Sequence, residues 1–288
     1  MKKILFALLL TWSFTAGAQV YNNEWIVYSN SYFKFKVAKD GLYRIPQSVI
    51  ASAGIGATPA EYFQLWRNGV QVPIYTSVAS GPLGAADYIE FWGKMNDGKP
   101  DRELYRDPTW QLNDRYSLET DSAAYFLTVN ADFSGNLRLN STMNDVAGNT
   151  LPAEPYFMYT TGNYFKDRIN PGYAVNVGDY LYSASYDKGE GWSSSELFSS
   201  SVSGNITYGK NTFVFDNLQV YAGGPTPKFK IAVSGNAINY RRYKADINRD
   251  SVAGRSCDFF NFLVDSTAFS LSSLNGVKDT VTDRKSVV

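Results

Sequence analysis

Two residue types bound the chemistry open to this chain. It contains no histidine and a single cysteine, Cys257. A cysteine or serine nucleophile normally relies on a histidine base. Both arrangements are closed here, as is histidine-ligated zinc. The chain as given is therefore expected to carry no catalytic residue, and Cys257 reads as a buried structural thiol. Carboxylates survive this filter. Asn96-Asp97-Gly98 with Asp101 and Glu103 reads first as a turn followed by a solvated acidic face, and paired carboxylates in such a stretch would suit a glycosidase. Asp246, Asn248 and Asp250 place oxygen ligands at positions 1, 3 and 5 of a calcium loop. Ser251 stands where that loop requires glycine, and Cys257 where it requires a bidentate glutamate. The expectation is a solvated polar turn with no calcium, and no other cofactor is indicated. Trp192 closes Gly189-Glu-Gly-Trp192. The glycines suit a tight turn, and the indole either anchors on the core or is the candidate aromatic for a ligand or an interface.

The elements that must position these residues are β-strands. Tyr 21, Phe 18, Trp 6 and Gly 23 favour pleated surfaces and turns. Phe33, Phe35 and Val37 alternate with Lys34 and Lys36, and Lys39-Asp40-Gly41 would turn the chain into Leu42–Ile45 as the returning strand. Pro46 to Ala53 reads as a short helix stopped by Gly54. Phe63–Trp66 and Val70–Tyr75 flank Asn68-Gly69, a strong hairpin signal. Tyr88–Trp92 and Tyr125–Val129 complete a first module. A second module is expected from Tyr156–Phe165, Leu181–Tyr186, Thr212–Phe215, Phe229–Val233 and Phe259–Val264. The fold class is all-β, with two antiparallel sandwich or jelly-roll-like modules and at most short helices. The modules span 19–130 and 156–282, joined by a linker at 131–155 rich in Asn, Ser, Thr and Gly.

Residues 1–18 have the form of a secretory signal peptide. Lys2 and Lys3 precede an apolar run, and Ala16-Gly17-Ala18 supplies the small residues before the cut. The run is too short to span a bilayer, so export to the periplasm or cell surface, without a transmembrane segment, is expected. Formal net charge is zero, which argues against a nucleic-acid partner. Residues 283–288 read Asp-Arg-Lys-Ser-Val-Val, the translation of a common sequencing-adapter read up to its stop codon. The expectation is an adapter-derived tail, with the natural chain continuing past Thr282.

Several motifs stand in a set order: Tyr32-Phe-Lys-Phe-Lys-Val37, Asp40-Gly-Leu-Tyr-Arg-Ile45, Trp66-Arg-Asn-Gly69, Ile89-Glu-Phe-Trp-Gly93, Asn96-Asp-Gly98, Asp101, Leu104-Tyr105, Ser117-Leu-Glu-Thr-Asp121, Tyr125-Phe-Leu-Thr128 and Gly189-Glu-Gly-Trp192. The series resembles the N-terminal region of gingipain-like cysteine peptidases of the type IX secretion system, above all the PorU-type sortases, which are cell-surface signal peptidases. The resemblance covers roughly residues 25–265. It implies a β region that precedes a caspase-like peptidase domain, with a supporting, propeptide-like or substrate-docking role. The implied partners are that downstream domain, other secretion-system proteins and exported substrates. Two other readings come from the residues: a secreted carbohydrate-binding or adhesive module using surface Trp and Tyr, and a hydrolase using carboxylates alone.

Overall fold

The computed structural model describes residues 23–287 apart from 144–146, 149–150, 177–178, 182–185, 203–204 and 217. The expected signal peptide lies outside the described residues. The chain is all-β, and its strand ladders are antiparallel. Two compact units divide it. One comprises residues up to 95 and 122–144, the other 96–121 and 145 onward.

The first unit holds β1 (Phe33–Val37), β2 (Gly41–Pro46), α1 (Gln47–Ser52), β3 (Phe63–Arg67), β4 (Val70–Val72), β5 (Tyr75–Thr76), β6 (Tyr88–Gly93) and β7 (Ala123–Val129). They form two sheets, ordered β1-β7-β3-β4 and β2-β6-β5. One core serves both. Val37, Phe63, Leu65, Tyr125 and Leu127 enter from the first sheet, Ile89 and Phe91 from the second, and Ile50 from α1. Phe91 packs 5.7 Å from Phe35 and 5.3 Å from Tyr125, centroid to centroid. Each such side chain, removed from water, contributes about 1.5–3 kcal/mol. The Asn68-Gly69 turn forms as the sequence indicates, with φ of 49° and 74° joining β3 to β4.

Three expectations change here. β1 and β2 do not pair with each other. β1 pairs with β7 and β2 with β6, because Tyr43 and Ile45 reach the same core as Phe33 and Phe35 from the other sheet. The single strand expected over 70–75 is interrupted at Pro73, which has no N–H to donate, and β5 continues in the other sheet. The start of the expected linker is docked: Arg138 donates to the carbonyls of Phe63 (3.1 Å), Ala60 (3.1 Å) and Glu61 (2.7 Å). Asn136 Nδ2 donates to Glu61 O at 2.8 Å.

The second unit holds β8 (Arg168–Asn176), β9 (Asp179–Leu181), β10 (Lys188–Ser193), β11 (Ser199–Val202), β12 (Asn205–Tyr208), β13 (Lys210–Asp216), β14 (Lys228–Ser234), β15 (Arg241–Ile247), β16 (Asp250–Ser256), β17 (Phe262–Ala268) and β18 (Lys278–Val287). Its sheets are ordered β10-β8-β9, β11-β12, β13-β18-β15-β16 and β14-β17. Phe229 and Ile231 of β14 pack on Ala245, Ile247 and Val252, as the alternation in β14 indicates. The β15–β18 ladder continues to Val287 opposite Arg241, so the expected tail from 283 lies within it. Tyr156–Phe165 forms no ladder. Its aromatics are adjacent rather than alternating, and Phe157 is 82% exposed. Phe259 has φ 57°, so β17 begins three residues later than expected, at Phe262. The polar stretch 96–121, which precedes β7 in sequence and was expected in the first module, belongs with the second unit.

Candidate functional site

Around β10 the second unit concentrates polar and aromatic groups. The sequence suggests a tight turn at 189–192, but these residues are a strand. Glu190 pairs with Pro171, Gly191 with Asn170 and Trp192 with Ile169. The glycines serve close approach. A Cβ on Gly191 would lie 3.0 Å from Leu112 Cβ and 3.2 Å from Asn113 N. A Cβ on Gly189, where φ is +79°, would lie 2.9 Å from Ser234 Oγ and 3.1 Å from Phe262 Cβ. A side chain at 191 would press on the excursion 96–121, and one at 189 on β14 and β17.

That excursion lies on β10 through specific bonds. Leu112 N donates to Glu190 O (3.2 Å), and Tyr105 OH donates to the same carbonyl (2.8 Å). Asn113 Nδ2 donates to Trp192 O (3.1 Å) and Phe165 O (3.2 Å). Trp192 Nε1 donates to Ser117 O (2.9 Å). The indole is half-buried, and Lys166 Nζ sits 5.2 Å from its centroid. Trp192 is thus engaged on its polar edge and on one face of its ring. Inside the excursion Asp101 is 5% exposed. It accepts from Ser117 Oγ (3.0 Å) and Leu118 N (2.8 Å). The expected acidic face is therefore split: Asp101 is buried while Glu103 is exposed.

Three groups at this place titrate abnormally. Burial pushes the Tyr105 and Tyr186 phenols well above their ordinary range. Tyr186 OH also donates to Glu119 Oε1 at 2.7 Å, and the two rings meet edge-on at 5.2 Å. Tyr186 has φ 57°, an uncommon conformation for an aromatic. Burial likewise raises Glu190, whose Oε2 accepts from Asp187 N at 2.7 Å. Sequence reasoning missed Tyr105, Tyr186 and Asn113 as partners of β10. Only the Gly-x-Gly spacing signals that a neighbour approaches closely.

The other expected site residues lie elsewhere in this unit. Asp246, 1% exposed, is ion-paired to Arg284 and, at 3.1 Å, to Lys244. Burial would raise its carboxyl, but these cations hold it below the usual range. Asn248 (φ 50°) and Arg249 (φ 83°) form the turn between β15 and β16. Asn248 Nδ2 donates to Ser273 O (2.9 Å) and Asp279 Oδ1 (2.5 Å), and its Oδ1 accepts from Thr280 N (2.8 Å). Asp250 opens β16 and is exposed. The three oxygens belong to a hairpin rather than a curled loop, and among the described residues no group of three or more His, Cys, Asp or Glu side chains gathers. Cys257 is 1% exposed, its Sγ donates to Asn261 O at 3.4 Å, and burial pushes its thiol up to about 11. Among the described residues no helix is long and apolar enough to cross a membrane.

No family model and no curated protein matches the chain. Among solved structures it is similar to the crystal structure of dimeric latent PorU from Porphyromonas gingivalis, with a TM-score of 0.40 and 13% identity. The match covers 90% of this chain and 23% of that chain, so this chain spans under a quarter of that protein's length.

Proposed function

We propose that this chain is the non-catalytic N-terminal β region of an exported gingipain-like peptidase of type IX secretion, with a supporting or substrate-docking role. The observation that carries the non-catalytic part is Cys257. A nucleophilic thiol needs a lowered pKa and access. This thiol is 1% exposed and raised to about 11, in a chain with no histidine.

The ordered motif series supports the family reading, and its residues do framework work. Tyr43 and Ile45 of Asp40–Ile45, and Ile89 and Phe91 of Ile89–Gly93, pack in the first core. Asp101 and Ser117 bond each other, and Gly189–Trp192 receives the excursion. Such residues shape a scaffold for a neighbouring domain rather than a reaction centre. The test has two arms. Purified mature chain is expected to leave peptide substrates intact, and turnover abolished by Cys257→Ala would refute the non-catalytic reading. An intact copy of the gene is expected to continue past codon 282 into an α/β domain with a Cys and a His. A stop, or further β modules, would refute the family reading.

A further inference from the structure

We propose that the outer face of the β2-β6-β5 sheet binds an uncharged glycan, with sugar rings stacked on Trp92 and Tyr75 and hydroxyls bonded to Arg44 and Glu90. The face lies within the first unit and does not rest on the peptidase reading. Ile89 and Phe91 of β6 enter the core, so alternation turns Tyr88, Glu90 and Trp92 outward. β2 sets Leu42 opposite Trp92 and Arg44 opposite Glu90. The break at Pro73 brings Tyr75 opposite Glu90 from the other side. Tyr75 and Trp92 are thereby diagonal neighbours, about 7–8 Å apart, and a disaccharide reaches both rings.

The chain closes the outer face of its other sheet in this unit with its own residues: Trp25 stacks on Trp66 at 5.3 Å and packs on Phe126 at 5.6 Å. Here it does not. Trp92 is 54% exposed and Tyr75 43%, and among the described residues no ring contact or hydrogen bond engages the Trp92 indole. The charges select the occupant. The one cation and the one anion on this face bind each other, Arg44 Nε and Nη2 donating to Glu90 Oε1 at 2.9 and 2.7 Å. The guanidinium carbon is held 3.7 Å from the Tyr88 ring centroid. A charged ligand would be drawn to one member of the pair and repelled by the other. A wholly apolar partner would bury the pair with its remaining bonds unmade. A hydroxyl donates and accepts from one atom. It meets both needs at Glu90 Oε2 and Arg44 Nη1, to which no bond runs among the described residues. The negative face of an aromatic ring attracts partly positive C–H groups, and a pyranose presents such groups on its face and hydroxyls at its edge.

Native affinity electrophoresis of the mature chain tests this, in gels carrying hydroxyethyl cellulose, mannan, xylan or dextran as neutral polysaccharides, or alginate as an anionic one. Retardation is expected in at least one neutral gel, with less or none in alginate. With that neutral polysaccharide, Trp92→Ala, Tyr75→Ala and Arg44→Met should each weaken binding at least about threefold. Phe157→Ala, which removes an exposed aromatic of the second unit, should leave it unchanged. Circular dichroism and thermal melts matching the parent would show that the variants fold. Unchanged migration in every neutral gel would overturn the proposal. So would stronger retardation in alginate, or Trp92→Ala and Tyr75→Ala variants that lose less than about threefold. A dimer in sedimentation velocity that Trp92→Ala abolishes would also overturn it, by placing a second copy on this face.

Discussion

Replacing Asp101 by alanine tests where the 96–121 excursion belongs. The buried carboxylate accepts from Ser117 Oγ at 3.0 Å and Leu118 N at 2.8 Å. A hydrogen bond to a charged acceptor contributes about 1.5–3 kcal/mol. The Ser117 hydroxyl can rotate to another acceptor, whereas the Leu118 N–H cannot, so the summed cost is about 2–4 kcal/mol rather than the full double. Ser117 also carries the carbonyl that receives Trp192 Nε1, so the lesion passes to β10. Hydrogen exchange by mass spectrometry should show amides of 112–120 and β10 exchanging about thirty- to a thousandfold faster. Those of β1, β3 and β7, in the first unit, should be unchanged. Asp101→Asn keeps an acceptor but turns an NH2 toward one donor, and should fall about halfway. Protection lost in β6 and β7 while β10 stays protected would refute the assignment of the excursion to the second unit.

Limited chymotrypsin digestion should cut first within 151–164, which is exposed and outside any ladder, and should spare Phe133 and Leu137, flanked by the bonds of Asn136 and Arg138. First cleavage at 133–139 would contradict this. Stability should fall as pH rises above about 9–10. The folded state keeps the protons of Cys257, raised to about 11 by burial, and of the Tyr105 and Tyr186 phenols, also raised by burial, while the unfolded chain releases them. Tyr105→Phe should flatten that alkaline loss, and an unchanged slope in urea melts would refute the reading. Thermal melts with calcium and with chelator should overlay, since Arg284 and Lys244 engage Asp246. A calcium-dependent rise abolished by Asp246→Ala would overturn that.

Much of the strand content is legible in the sequence where one face is apolar and the other polar. Phe33/Phe35/Val37, Ile89/Phe91 and Phe229/Ile231 fall where alternation puts them. Alternation gives the face and not the partner, which is why β1 and β2 read as a hairpin but belong to different sheets. β15 and β18 escape because their sequences, Arg-Arg-Tyr-Lys-Ala-Asp-Ile and Lys-Asp-Thr-Val-Thr-Asp-Arg-Lys-Ser-Val, are mostly charged or polar. Asp246 of β15 pairs with Arg284 of β18, a contact visible only once the register is known. At Gly189-Glu-Gly-Trp192 a glycine is equally suited to a turn and to close approach. Leu112, Asn113, Ser234 and Phe262 decide between them, and all are distant in sequence.

The excursion shows why chain order misassigns a segment. Residues 96–121 leave the first unit after β6 and return at β7, and the neck is closed by Asn96 N donating to Asp121 O at 2.8 Å and Asn96 Nδ2 donating to Thr120 O at 2.7 Å. Closing a loop of this length costs roughly 3 kcal/mol of chain entropy. Composition offers little apolar surface to offset that, and so the stretch reads as solvated. What offsets it is polar: Tyr105 OH, Leu112 N, Asn113 Nδ2 and Trp192 Nε1 each make a bond to or from β10, at about 0.5–1.5 kcal/mol apiece. Together they supply about 2–6 kcal/mol, which brackets the closure cost, whereas any one alone falls short of it. The excursion should therefore dock cooperatively, and its order should depend on Gly191 of β10 as much as on its own residues.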